Sequence, residues 1–142
     1  MTTVILFRVE RANGDGMYRP GNEDDFSSPF NDVIDEWIEH SGEDRETYRA
    51  AHCKSHMIPQ DDPHLSSLFW GPMGRYYHFA FASLEQLDQW ICRDEWKIGL
   101  RLKGFAVSVY SVDNEFCVHG SNQSVFIKYN ARLIDRVDLM EI

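Results

Sequence analysis

From Tyr76 to Trp90, YYHFAFASLEQLDQW, an apolar and aromatic strand pattern passes without a break into a helical one. Tyr76, Tyr77, Phe79 and Phe81 fit a strand in the middle of a sheet. Ser83 followed by Gln86 is a capping-box pattern, so a helix starts there. Leu84, Leu87 and Ile91, with Trp90, recur at helical spacing and predict a core-facing stripe. Ser83 stands at the corner, where a hydroxyl either only caps the helix or serves a site as well.

Around this unit the chain reads as a single globular α+β domain over residues 1–142, long enough for a hydrophobic core. Helices fall mostly in its first half and strands mostly in its second. Val4 to Glu10 predicts a first strand, with Ile5, Phe7 and Val9 on one face and Val4, Leu6, Arg8 and Glu10 on the other. On that second face Arg8 reads as an exposed arginine of an edge strand. Asn13-Gly14-Asp15-Gly16 is a turn. Ser28-Pro29 opens a helix whose apolar stripe is Phe30, Val33, Ile34, Trp37 and Ile38. Asp32, Asp35, Glu36 and Glu39 fill its other face, and Gly42 stops it. Glu43 to Met57 carries a weaker helical pattern. Leu65 to Gly74 looks irregular, with Phe69 and Trp70 anchoring it. Asp94 to Leu102 predicts a helix closed by Gly104, burying Trp96, Leu100 and Leu102. Phe105 to Val112 is a strand rich in β-branched and aromatic residues, turned at Asp113-Asn114-Glu115 into Phe116-Cys117-Val118. Gln123 to Tyr129 is a further strand. The tail packs through Leu133, Ile134, Val137 and Leu139.

The net charge of −9 argues against direct binding to a nucleic-acid backbone, which needs Lys and Arg on the phosphates. It suits an enzyme, or a protein that docks onto a basic groove of another molecule. Nothing approaches a transmembrane span, and MTTVILFRVE lacks a basic region and a cleavage site, so the expected compartment is the cytoplasm, without membrane contact. Cys53, Cys92 and Cys117 are an odd set with no CxxC pair, which points to free thiols. His52, Cys53 and His56, with His64 downstream, are the candidate metal ligands. They lack a supporting carboxylate pattern, and no metal is expected.

A P-loop, a GxGxxG after a strand, a GxSxG elbow and an HExxH are all absent. Cysteines and histidines are both present, but nothing local nominates a pair for nucleophilic catalysis. What stands out is a polar residue on each of three apolar stretches: Arg8 in FRVE, Ser83 after YHFAFA, and Gln123 in SNQSVFIKY. In order and setting these resemble the ADP-ribosyltransferase fold in its arginine–serine–glutamate branch. The strings YHFAFASLEQLDQWI, GFAVSVYSV and GSNQSVFIKYNARLI also look like small bacterial and phage proteins. The resemblance implies a split, mainly antiparallel sheet with flanking helices, and NAD as cofactor. It places Arg8 on the cofactor, Phe81-Ala82-Ser83 on the nicotinamide pocket wall, and Gln123 where the family has its catalytic glutamate. Tyr18 and His119 are supporting cofactor-binding candidates at the cleft mouth. A neutral Gln123 supplies no charge to an oxocarbenium-like transition state, a loss of several kcal/mol in such sites. Glu115, upstream of it, is the carboxylate that could substitute.

Two functions follow as expectations. One is an NAD-dependent mono-ADP-ribosyltransferase-like protein acting on a protein side chain of a host. The other is a non-catalytic acidic phage inhibitor, of the anti-CRISPR type, that covers a basic surface of a host defence complex. For the second, twelve of the 23 acidic residues fall between Glu10 and Glu46.

Overall fold

Strand β1 (Thr3–Arg11) pairs antiparallel with β3 (Phe105–Asp113), which pairs in turn with β6 (Ala131–Val137). These three form the first sheet, in the order β1-β3-β6. The second sheet has the order β2-β5-β4, from β2 (Tyr77–Ala80), β5 (Ser124–Ile127) and β4 (Cys117–His119), again all antiparallel. The helices are α1 (Pro29–Ser41), α2 (Ser66–Trp70), α3 (Leu84–Trp90) and α4 (Asp94–Leu102). The computed structural model describes residues 2–17, 29–42, 62–70, 76–121 and 123–142. The expected helix over Glu43 to Met57, the metal candidates His52, Cys53 and His56, Tyr18, and the side chains of Phe69 and Trp70 lie outside them.

Among the described residues the main chains of the two sheets are bridged at Phe7 and Phe81. Phe7 and Phe81 exchange both main-chain hydrogen bonds, each 2.8 Å, so the residue after β2 is bridged to the middle of β1. The mixed α and β architecture with two small antiparallel sheets agrees with the expected fold class. β2 lies at an edge of its own sheet, not in the middle as its apolar run predicts. Its far side is the seam to β1, which is why it carries so little polar surface.

Alternation along the strands sorts the core into two bodies. Val9, Phe81, Phe105 and Val107 point to one face, where Phe30, Val33, Leu87, Trp90, Trp96, Leu100 and Leu139 cover them. The ring of Trp90 lies 5.1 Å from Phe79 and 5.6 Å from Phe81, so the strand–helix unit closes on itself. On the other face Leu6, Tyr110 and Val112 meet Ala80, Cys117 and Phe126 of the second sheet. Ser83 caps α3 by accepting from Gln86 N at 3.2 Å, while Gln86 Oε1 accepts from Ala82 N at 3.0 Å. Gly42 (φ 73°) and Gly104 (φ 93°) take the left-handed conformation that ends α1 and α4.

Several packing expectations need correction. Residues 66–70 are helical, not irregular. Leu84 and Leu102 are exposed, Leu102 by 83%: Leu84 stands in the first turn of α3, and Leu102 is on the far side of α4 from Leu100. Leu133 and Ile134 are exposed on the outer strand β6, leaving Leu139 as the buried anchor of the tail. β5 stops at Ile127, where a 3-10 turn (Lys128–Asn130) leads into β6. Arg8 is 6% exposed and so is a buried arginine, not a surface one.

Candidate functional site

Leu6, Arg8 and Glu10 share the face of β1 that looks toward the second sheet, and the last two bring charge into the seam. Arg8 Nε donates to Glu10 Oε2 at 2.8 Å, Nη1 to the Phe79 carbonyl at 2.8 Å, and Nη2 to the Gly14 carbonyl at 3.3 Å. Tyr110 on β3 donates its hydroxyl to Glu10 Oε1. Lys128, in the turn after β5, donates to Glu10 Oε2 at 2.9 Å. Arg136 on β6 donates to Ser108 Oγ and to the Glu10 carbonyl, both at 3.0 Å. The register explains the row: Arg8 lies opposite Ser108, and Ser108 opposite Arg136. The turn before α1 closes over these cations. A Cβ on Gly16 would lie 2.8 Å from Arg8 Nη2, and one on Gly14 (φ +94°) 2.8 Å from Lys128 Nζ.

Burial by itself raises the pKa of Glu10. Hydrogen bonds from Tyr110, Lys128 and Ser108, with the charge of Arg8, outweigh it and hold the carboxyl below its ordinary range. Burial first, and then the Glu10 carboxylate, push the Tyr110 phenol well above its ordinary value. The seam therefore holds an ionised carboxylate surrounded by donors. Such an arrangement stays folded because each charge has partners, and it is costly to break one member at a time.

The other sequence candidates are spread out. Ser83 caps α3, two residues beyond the Phe7–Phe81 bridge. Gln123 is fully buried at the head of β5, and its carbonyl accepts from Gly120 N at 2.7 Å. That bond extends the β4–β5 pairing by one residue on each strand. Arg8 lies in the seam. Glu115 is exposed in the 3-10 turn Asn114–Phe116 and lines a shallow depression with Thr2, Asp113 and Asn114. Its end of β1 is five residues from Arg8, roughly 16 Å at strand spacing. His119 is exposed at the end of β4, with Nδ1 2.6 Å from Ser124 Oγ and Nε2 3.9 Å from Cys117 Sγ. Among the described residues no group of three or more His, Cys, Asp or Glu has the geometry to hold a metal ion. His64 lies beside a buried carboxylate, its main-chain N donating to Asp62 Oδ1 at 2.9 Å.

A family model described as the bacteriophage T4 Y00F protein matches residues 1–140, nearly the full chain and all of the seam. The chain belongs to that family. A curated relative from Enterobacteria phage T4, described as an uncharacterized 19.7 kDa protein in the motB-dexA intergenic region, is 29% identical and aligns over 75% of this chain and 78% of its own length. No solved structure matches.

Sequence reading isolated Arg8 but not its partners. Glu10 is two residues on along the same strand face, and that spacing is the signal. Tyr110, Lys128 and Arg136 come from 100 or more residues away, and only strand register places them at Glu10. Asp62 was likewise unmarked. It is fully buried and accepts from Ser121 N at 2.9 Å, tying α2's entry to the β4–β5 turn.

Proposed function

We propose that this protein acts by docking an acidic face onto a basic surface of a host macromolecular complex. The observation that carries this reading is where the charge lies. Between Glu10 and Glu46 there are twelve acidic residues against Arg11, Arg19 and Arg45, so this quarter of the chain carries the whole net charge of −9 and the remainder is balanced. In α1 the face away from the core holds Asp32, Asp35, Glu36 and Glu39, with Glu36 and Glu39 exposed. A concentrated field of one sign steers association with an opposite surface and makes the binding depend on salt. Membership in a phage family supports a host partner, and a defence complex that grips nucleic acid presents such a basic groove.

The experiment is affinity capture from host lysate, followed by titration of the captured partner in low and moderate salt. The wild-type protein is expected to bind with strong salt dependence, and the fourfold variant Asp32→Asn, Asp35→Asn, Glu36→Gln and Glu39→Gln to lose binding. Binding that is indifferent to both salt and this variant sinks the proposal.

An NAD-dependent ADP-ribosyltransferase-like fold and activity is the second reading. It is favoured by the position of Ser83, at a strand–helix corner bridged to the strand of Arg8. For Arg8 to reach a cofactor it must first exchange its bonds to Glu10, Phe79 and Gly14. Label transferred from NAD to a lysate protein, lost on Arg8→Lys and kept in the fourfold α1 variant, selects this reading over docking.

A further inference from the structure

Cys117 and His119 are two residues apart on β4, so their side chains leave the same face of the strand. Ser124 is the register partner of His119 on β5, directly across the ladder. The three groups form a line: Cys117 Sγ lies 3.9 Å from His119 Nε2, and His119 Nδ1 lies 2.6 Å from Ser124 Oγ. Burial differs along it, and the exposed member is the central one. Ser124 is fully buried and rigidly framed by the ladder, Cys117 is 8% exposed, and His119 is exposed and open to solvent protons. A nucleophile, a base in reach of it, and a third group orienting the base is the general geometry of an activated nucleophile. We propose that Cys117, His119 and Ser124 form a thiol–imidazole–hydroxyl site that reacts with small disulfides, with His119 as the base and Ser124 as its positioning residue.

In the step, His119 Nδ1–H donates to Ser124 Oγ, which leaves the Nε2 lone pair facing the thiol. Nε2 takes the Cys117 proton as Sγ attacks one sulfur of the disulfide. The new Sγ–S bond forms as the old S–S bond breaks. The departing thiolate collects the proton from Nε2, so a mixed disulfide and one free thiol result without an external oxidant. Burial pushes the Cys117 thiol up to about 11, so at neutral pH it is un-ionised, and a base that acts during attack is what makes it reactive. Leu6, Ala80, Val112 and Phe126 belong with Cys117 to one buried apolar cluster. The titratable groups facing this region from other elements are Tyr110 on β3, bonded to Glu10, His78 on β2, beyond Phe126, and Asp62, at the Gly120–Ser121 turn. Exposed Cys92 is a free thiol outside this arrangement and serves as the internal reference.

The test uses the full chain with Cys53→Ser and Cys92→Ser, so that Cys117 is the sole thiol, and dithiodipyridine as the probe. Thiopyridone release is followed as a function of pH, with folding checked by circular dichroism. The expected rate at neutral pH lies above that of an un-ionised thiol reacting alone, because His119 removes the proton during attack. His119→Asn should lower the rate at neutral pH by about a hundredfold, the scale of general-base assistance. Ser124→Ala should lower the rate, and Ser124→Thr, which keeps the hydroxyl, should restore it. A chain that retains Cys92 alone gives the rate of an ordinary exposed thiol and should be indifferent to His119→Asn. The proposal is overturned if His119→Asn leaves the Cys117 rate unchanged. A rate that follows only the thiol's own ionisation, or that grows with mild denaturant in step with unfolding, overturns it as well.

Discussion

A buried carboxylate is decided by the balance between lost hydration and gained partners. Glu10, 3% exposed, loses nearly all its water but receives Arg8, Lys128 and the Tyr110 hydroxyl. Its pKa lies below its unfolded value, so the partners win and their contribution is present above the unfolded pKa. That contribution is lost as pH falls through the folded value. Acid unfolding should therefore steepen below about pH 4.5, the ordinary value of this group. Glu10→Gln should flatten that acid limb, and at neutral pH should destabilise the fold by about 3–5 kcal/mol, because Arg8 and Lys128 keep their charge without its counterpart. Urea titrations of both proteins across pH 3 to 7, a window of about four units around the carboxylate range, measure both effects. Equal acid limbs in wild type and variant would falsify the assignment of Glu10 as the ionised centre. Tyr110 has the opposite sign: its raised pKa contributes stability below its unfolded value that is lost only at strongly alkaline pH.

Between elements, close approach can be set by a missing side chain. A Cβ on Gly99 in α4 would lie 2.6 Å from Val33 Cγ1 of α1. Gly99→Ala gains up to about 1 kcal/mol in helix propensity, but pushing α1 off α4 costs about 1–3 kcal/mol. The clash should win, giving a net loss of stability. Adding Val33→Ala removes the atoms that clash, so the double variant should be less destabilised than the sum of the two singles. A thermal-melt double-mutant cycle with additive effects would show that the helices are not in contact there. Gly120 has the same role at the β4–β5 turn, where a Cβ would lie 2.5 Å from Asp62 Oδ2 and 2.7 Å from Leu65 Cδ1. Leu65 and Asp62 are both buried, so neither can move aside cheaply.

At the scale of the molecule, the Phe7–Phe81 bridge makes two three-stranded sheets one cooperative body. The amides of Phe7 and Phe81 should exchange with solvent as slowly as those of β3, at the centre of the first sheet. Native-state hydrogen exchange reads this directly, and early exchange at Phe81 would mean that the second sheet opens by itself. The amphipathic stripe of α1, the capping of α3 by Ser83 and the strand β3 were legible in the chain. Each depends on residues a few positions apart, and periodicity or a cap reports them. The position of β2 was half legible: its apolar run indicated burial on both sides, but not that one side is the seam to β1. The exposure of Leu102 and Leu133 was not legible, because a helix face or an outer strand is apolar or wet according to what packs on it.

The run from Tyr76 to Trp90 determined by itself a strand, a capped turn and a helix that folds back over Phe79 and Phe81, since local hydrogen bonds and near-neighbour rings suffice for that. The concentration of negative charge between Glu10 and Glu46 was likewise a property of the chain. Tertiary structure alone decided that Arg8 is bound to Glu10 inside the seam and that Gln123 is fully buried at the head of β5. It alone set Cys117, His119 and Ser124 in line. Those outcomes depend on strand register, in which one residue's shift reverses every side chain, and register is fixed by the packing of the whole.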